Sequence, residues 1–268
     1  VTTAIEQLQP GRPGFPERLG ALAWKRELYV RGPLDDGPAV AIVGARAASS
    51  RGERFAEDLG RHFAAHGVRV VSGGAIGIDG AAHRGALAGG GKTTVVLGSG
   101  VDVLYPQRHA SMFEQIVAAG GALVSLLPLG TEPRPHTFPQ RNPLIAALAD
   151  LVVVVEADVR SGSLSTARAA ADLGICVAAV PGSRGCSRIL AHGAAIVETI
   201  ADADAALSGA PRYPEAPKQL ALDPTSEQIA SALAAGTRGV DALVRETGLP
   251  VRDVLRALSV LEPSARLL

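Results

Sequence analysis

The sequence predicts an α/β fold: a parallel β-sheet with helices on both faces, followed by a small all-helical, winged-helix-like domain. Three observations carry that prediction. Short apolar runs recur at 40–43, 68–72, 94–97, 122–125, 151–155 and 176–180, each separated from the next by a helix-length segment. Their hydrophobicity is continuous rather than alternating, which marks strands covered on both faces and hence a parallel sheet. Small-residue turns follow the runs: Gly44-Ala45-Arg46, Ser72-Gly73-Gly74, Gly98-Ser99-Gly100 and, beyond Glu156, Ser161-Gly162-Ser163. Ligands of open parallel sheets bind at the carboxyl ends of the strands, and glycine lets the backbone approach them closely.

Residues 1–38 are rich in Pro and Gly and lack a period, so they read as a lead-in that packs on the main domain. The main domain runs from 39 to 208. Its first strand stops at Gly44, and a helical pattern with Phe55, Leu59 and Phe63 on one face starts soon after. No further glycine follows Gly44 at the G-x-G-x-x-G spacing, so the turn suits a phosphate but does not indicate NAD. Residues 209–224, rich in Pro and Ala, read as a linker. Residues 225–268 show helical patterns at Ile229/Leu233, Val240/Leu243/Val244 and 251–261, with a glycine turn at Thr247-Gly248-Leu249-Pro250. A helix, a glycine turn and a helix opened by proline outline a helix-turn-helix or winged-helix unit.

The 268 residues are 47% hydrophobic and 19% charged, with 26 basic and 26 acidic side chains. A zero net charge exerts no global pull on nucleic acid or anionic membrane, so a nucleic-acid role requires a local basic face. Cys176 and Cys186 have neither metal nor redox spacing. No signal-peptide pattern opens the sequence and no apolar run is long enough to span a bilayer. The expectation is a cytoplasmic protein without metal or cofactor.

Among candidate site residues, Gly44, Ala45 and Arg46 offer backbone N–H groups and a planar cation at a helix start, a good phosphate site. The plainer alternative for Arg46 is an ion pair with Glu53. Ser49 and Ser50 bind phosphate or cap the helix. Phe138, in the Pro-rich stretch 133–139, reads as a loop aromatic that stacks a base, with Arg134, His136 and Arg141 around it. Its alternative is an anchor against Tyr105. Arg141 reads as a phosphate contact, and Glu156 either accepts from a base edge or holds a loop N–H. Asp79 and His83 share one helix face. With no third ligand at metal spacing, they read as a buried, hydrogen-bonded structural pair. The stretch Gly89-Gly90-Gly91-Lys92-Thr93-Thr94 imitates a P-loop but leads into a strand instead of leaving one, so ATP binding is rejected. Ser99 is not a nucleophile-elbow serine and reads as pocket lining.

The motifs together resemble the DNA-processing protein A family (DprA, also called Smf). They are Val43-Gly44-x-Arg46-x-x-Ser49-x-x-Gly52, Ser72-Gly73-x-Ala75-x-Gly77-Ile78-Asp79-x-x-Ala82-His83, Leu97-Gly98-Ser99-Gly100-x-Asp102-x-x-Tyr105-Pro106, Phe138-Pro139-x-Arg141-Asn142, Ser161-Gly162-Ser163-Leu164-x-Thr166-Ala167 and Val180-Pro181-Gly182. The order and spacing agree from about Phe15 to Ala194. Ala45, Arg51, Leu126, Pro143 and Ser187 depart from residues usual in that family. The resemblance implies a Rossmann-like domain that binds single-stranded DNA, adding Ser72, Gly73, Gly98, Gly100, Asn142, Ser161, Gly162 and Ser163 to the binding edge. It also implies a homodimer formed near Ile189, Leu190 and Ile196. It implies loading of the RecA recombinase, with single-strand-binding protein as a further partner, and a role in natural transformation or recombination without catalysis. The rival is a nucleotide hydrolase on the same scaffold, akin to the lysine-decarboxylase-like phosphoribohydrolases. Their Pro-Gly-Gly-x-Gly-Thr motif is missing where Val180-Pro181-Gly182-Ser183-Arg184-Gly185 stands. A protein-binding adaptor is the third reading.

Overall fold

The computed structural model describes residues 4–214, 224–237 and 239–265. The chain divides into two compact units, Val1–Pro214 and Glu215–Leu268. In the first, β1 (Ile5–Leu8), α1 (Glu17–Ala21) and β2 (Leu28–Arg31) precede an alternating series. That series runs β3 (Ala39–Val43), α2 (Ser50–Ala65), β4 (Arg69–Ser72), α3 (Ile78–Ala88), β5 (Thr93–Val96), α4 (Ala110–Ala118) and β6 (Ala122–Ser125). It continues with α5 (Thr137–Ala147), β7 (Leu151–Val154), α6 (Ser163–Asp172), β8 (Cys176–Ala179), α7 (Arg184–Ala191), β9 (Ala195–Ile196) and α8 (Ile200–Leu207).

The strands form one sheet in the order β1-β2-β6-β5-β4-β3-β7-β8-β9. From β6 to β9 all pairings are parallel. The chain builds outward from β3 through β4, β5 and β6, then returns to pair β7 with the other side of β3. The order therefore reverses between β3 and β7, and a crevice opens at their carboxyl ends.

Side chains alternate across the sheet and bury both ways. Ala41, Val43, Val152 and Val154 pack with Leu144, Ile145 and Ala147 of α5 and Ala167 and Ala170 of α6. Val40, Ile42, Leu151 and Val153 pack with α2, α3 and α8 through Leu59, Phe63, Ile78 and Ala203. This two-sided burial makes the runs continuously apolar. The α2–α3 contact is tight enough to need glycine: a Cβ on Gly85 would meet the Glu57 carbonyl, and one on Gly60 the Ala82 carbonyl.

The lead-in is more than a packed segment. β2 pairs antiparallel with β6, and β1 antiparallel with β2, so residues 5–31 extend the sheet. Here one face is wetter: Leu28 and Val30 are buried while Tyr29 and Arg31 are half-buried.

The second unit holds α9 (Pro224–Ala234), α10 (Val240–Thr247) and α11 (Val251–Ala265), and no strand among the described residues. Ile229, Leu243, Val254 and Ala257 form its core. Gly248 caps α10 in the left-handed conformation, at φ 68°, which ends the helix and lets Pro250 start the next. Most of the stretch read as a linker, 215–223, lies outside the described residues.

Candidate nucleic-acid interface

A cavity of about 500 Å³ lies at the reversal of strand order, and its wall includes Gly44, Ala45, Arg46, Phe138, Arg141, Asn142, Ser161, Gly162 and Ser163. The loop from Gly44 to Ser49 forms one side. Its shape is held by Glu156: the backbone carbonyl of Glu156 accepts from Ala45 N–H at 2.7 Å. The carboxylate accepts from Ser49 N–H at 3.1 Å and from Ser49 Oγ at 2.8 Å. Ser49 in turn accepts from Gly52 N–H at 3.1 Å and caps α2. Glu156 is thus a loop clamp, not a group aimed at a base. Ser50, the first residue of α2, is exposed beyond the cap.

Arg46 is exposed, and its guanidinium lies 5.1 Å from the centre of the Phe138 ring. It is not paired with Glu53, which faces Arg84 at 3.6 Å. Phe138 is half-buried and touches Tyr105, ring centres 5.8 Å apart. The stretch read as a loop is helical here: Phe138 stands in the first turn of α5, and Pro139 is accommodated because first-turn N–H groups have no intrahelical partner. Thr137 Oγ1 donates to the Gly98 carbonyl at 2.5 Å, tying the helix start to the end of β5.

Several residues expected on the binding edge work beneath it. Arg141 is 6% exposed, and its Nη1 donates to the carbonyls of Gly73, at 2.5 Å, and Val96. It borders the cavity, yet its donors are turned inward, which differs from the expected phosphate contact. Burial pulls its pKa down to about 10, with Asp79 opposing the shift. Asn142 donates to the Gly162 carbonyl at 3.1 Å and to Ser165 Oγ at 2.6 Å, holding the turn before α6. Ser161 and Ser163 Oγ are 2.7 Å apart in that turn.

Ser72 Oγ donates to the Ile42 carbonyl and Ser99 Oγ to the Val103 carbonyl, each at 2.6 Å, and both serines are buried. Gly98 and Gly73 are spacers: a Cβ on Gly98 would come within 2.7 Å of the Phe138 ring, and one on Gly73 would strike the Arg141 guanidinium. Gly100 meets Asp102 and the Pro128 carbonyl in the same way. Ser72, Gly98, Ser99 and Gly100 therefore shape the rim from below and do not line the cavity.

Asp79 and His83 are both buried, but they are not bonded to each other. Asp79 accepts from Ala75 N–H at 3.4 Å. Burial pushes its pKa up, against the pull of Arg141 and nearby N–H groups. His83 Nδ1 lies 2.8 Å from Thr93 Oγ1, whose proton goes to the Val70 carbonyl, so Nδ1 is the donor. Burial, with His109 and Arg141 nearby, pushes His83 down to about 3, so the ring is neutral. Ile189, Leu190 and Ile196 are half-buried; the first two lean on the core under α5 and α6, and Ile196 sits on the edge strand β9.

The sequence reading passed over Arg160. It is exposed and lines the cavity in the turn that precedes α6. A cation directly before a small-residue turn at a strand end was the available signal. Neither Arg46 nor Arg160 forms an ion pair with a described residue. Two free guanidinium groups, the N-terminal end of α6 and a half-exposed aromatic ring suit a phosphodiester and a base.

Residues 7–208 match the family described as DNA recombination-mediator protein A, and residues 213–262 match the DprA winged helix domain. The chain belongs to the DNA recombination-mediator protein A family. It is 43% identical over 240 residues to the DNA processing protein DprA of Mycobacterium tuberculosis, covering 84% of this chain and 60% of that protein. It is 35% identical over 263 residues to protein Smf of Escherichia coli, covering 92% of this chain and 70% of that one. The chain thus spans about 60% of the length of its mycobacterial relative.

Its fold is similar to the crystal structure of DprA from Streptococcus pneumoniae, with TM-score 0.67, 34% identity and 76% and 75% of the two chains covered. It is likewise similar to DprA from Helicobacter pylori, with TM-score 0.68, 27% identity and 78% and 98% covered. The latter structure describes a single-stranded DNA binding mode of that protein. Among the described residues no helix is long and apolar enough to cross a membrane, and no group of three His, Cys, Asp or Glu side chains could hold a metal ion.

Proposed function

We propose that this chain binds single-stranded DNA in the strand-end cavity and serves as a recombination mediator. The observation that carries the reading is Arg46. It is a free guanidinium on the face of Phe138, at the mouth of a cavity with Arg160 in its wall. Arg46 and Arg160 hold phosphates, and Phe138 stacks a base. Stacking on one face needs an unpaired base, which favours a single strand over a duplex. The Helicobacter relative's single-stranded DNA mode supports the same choice.

Binding proceeds without catalysis in this reading. Asp79 reaches the cavity wall but is 5% exposed and accepts from the Ala75 N–H, and His83 lies outside the wall, bonded to Thr93, so neither is given a catalytic part. Delivery of DNA to a RecA recombinase, displacement of single-strand-binding protein, a homodimer near Ile189, Leu190 and Ile196, and service in natural transformation are further proposals drawn from the family. A dimer joins two cavities on one strand and raises avidity.

The test is the double variant Arg46→Ala/Arg160→Ala. It should lose most oligo-dT affinity at moderate salt while its unfolding midpoint stays within about 2 °C, since both side chains are exposed surface groups. Wild-type affinity in that variant would remove the cavity from the binding surface.

A further inference from the structure

Beside the first cavity lies a second of about 530 Å³, bounded by the start of α2 and the ends of β7, β8 and β9. Its floor is apolar, made by Phe55, Val155, Val180 and Pro181. Three acids border it, and each is already engaged. Glu156 clamps Ser49, Asp58 pairs with Arg61 at 3.2 Å, and Glu198 pairs with Arg212 at 2.6 Å. Its two cations are not: Arg51 and Arg54, one helical turn apart on α2, are exposed and make no ion pair or hydrogen bond with a described residue. Arg51 and Arg54 are thus the two cations at this cavity left to take a phosphate, while Asp58 and Glu198 each face an arginine and Glu156 is held by the uncharged donors of Ser49.

The two cavities are near neighbours along the chain. Ala47 lines the first and Ser49 the second; Asp158 lines the first and Glu156 the second. Two residues of chain span at most about 7 Å, a distance that one sugar-phosphate unit of an extended strand covers. The clamp between Ser49 and Glu156 forms the ridge between them.

We infer that the second cavity takes another nucleotide of the same single strand. The strand crosses the Ser49–Glu156 ridge, places its next phosphates on Arg51 and Arg54, and lays a base against Phe55 and Pro181. The binding track then extends sideways across the sheet from β3 to β8, and β9 marks its outer limit. This inference rests on the proposed single-stranded DNA binding at the first cavity.

The experiment measures the full chain against labelled oligo-dT of increasing length, across a salt series. It compares wild type with Arg51→Ala/Arg54→Ala and with Arg168→Ala, an exposed arginine of α6 that lines neither cavity. The double variant should bind the shortest effective oligonucleotide as wild type does. It should bind long oligo-dT about tenfold more weakly, because two phosphate contacts are lost. Its slope of log affinity against log salt should be shallower by about 1.4, two phosphates at about 0.7 each. Arg168→Ala should change neither quantity. A photoreactive thymine one nucleotide beyond the short oligonucleotide should crosslink to Phe55 or to residues 180–183.

Wild-type behaviour of the double variant at every length overturns the inference. So does an equal loss at all lengths, or in Arg168→Ala, which makes the two arginines part of a diffuse field. Crosslinks confined to the Phe138 side overturn it as well. Failure of the wild-type chain to bind any oligo-dT overturns the parent proposal and this one with it.

Discussion

Replacing Phe138 by alanine removes the ring that faces Arg46 at 5.1 Å and Tyr105 at 5.8 Å. Two energies follow, and they are read by different experiments. The first is stability. A fully buried phenylalanine costs about 3–5 kcal/mol on truncation to alanine. Phe138 is half-buried at the mouth of a cavity, so the cost should fall to about 1–2 kcal/mol, including its aromatic contact with Tyr105. The second is binding. A base stacked on the ring contributes about 1–3 kcal/mol, or roughly 5- to 150-fold in affinity. The ring carries no charge, so the number of phosphates neutralised is unchanged and the salt slope should stay within about 0.3 of wild type. Urea unfolding gives the first quantity, and anisotropy of labelled oligo-dT over a salt series gives the second. Unchanged affinity would refute the stacking argument. A weaker affinity with a clearly shallower slope would show that Phe138 acts only by holding Arg46 on a phosphate. A stability loss beyond about 3 kcal/mol would make it a core residue.

Three further predictions use the same logic. Arg46→Ala should weaken oligo-dT binding and make the salt slope shallower by about 0.7, one phosphate on a single strand, and an unchanged slope would leave Arg46 without a phosphate. Arg141→Ala should cost about 3 kcal/mol of folding stability, because it leaves Asp79 and the carbonyls of Gly73 and Val96 without their buried partner; full stability with lost DNA affinity would instead make Arg141 a direct phosphate ligand. His83 is held neutral in the fold, down to about 3, while the unfolded chain takes up a proton below about 6.5. Its contribution to stability is therefore complete above that pH and is lost as pH falls, by about 2 kcal/mol between pH 8 and pH 5. Urea titrations at the two pH values should show that much less pH dependence in His83→Gln than in wild type, and equal dependence would contradict the neutral ring.

The central strands were legible because their burial is two-sided. Val40 and Ile42 face one core while Ala41 and Val43 face the other, so nothing polar interrupts the run. β2 was not legible as a strand, since its four residues alternate between a buried and a wetter face and it is held between β1 and β6, the latter nearly a hundred residues away. Phe138 looked like a loop residue because the stretch 133–139 is rich in Pro, yet Pro139 lies in the opening turn of α5 and even Pro143 is tolerated further along.

The cradle of turns was visible as small residues at strand ends, but not the reason for each. Gly98 is small to admit Phe138 and Gly73 to admit Arg141, which only packing reveals. Charge alone does not place Arg141, and of the two readings open for Glu156 the structure forms the one that holds a loop N–H. A strand-end arginine and glutamate look like ligand contacts until the carbonyls and N–H groups they serve are located. The neutral overall composition hid the local arrangement: Asp58 and Glu198 face arginines, while Arg46, Arg51, Arg54 and Arg160 form no ion pair with a described residue.

The central claim is that this edge holds a single strand through phosphates and a stacked base. The most direct test is fluorescence anisotropy of labelled oligo-dT with the purified chain, run beside a duplex of the same length and across a salt series. The account predicts tighter binding of the single strand and an affinity that falls linearly in log salt, with a slope set by two or more phosphates. Equal binding of the duplex, or no binding at low salt, would contradict it.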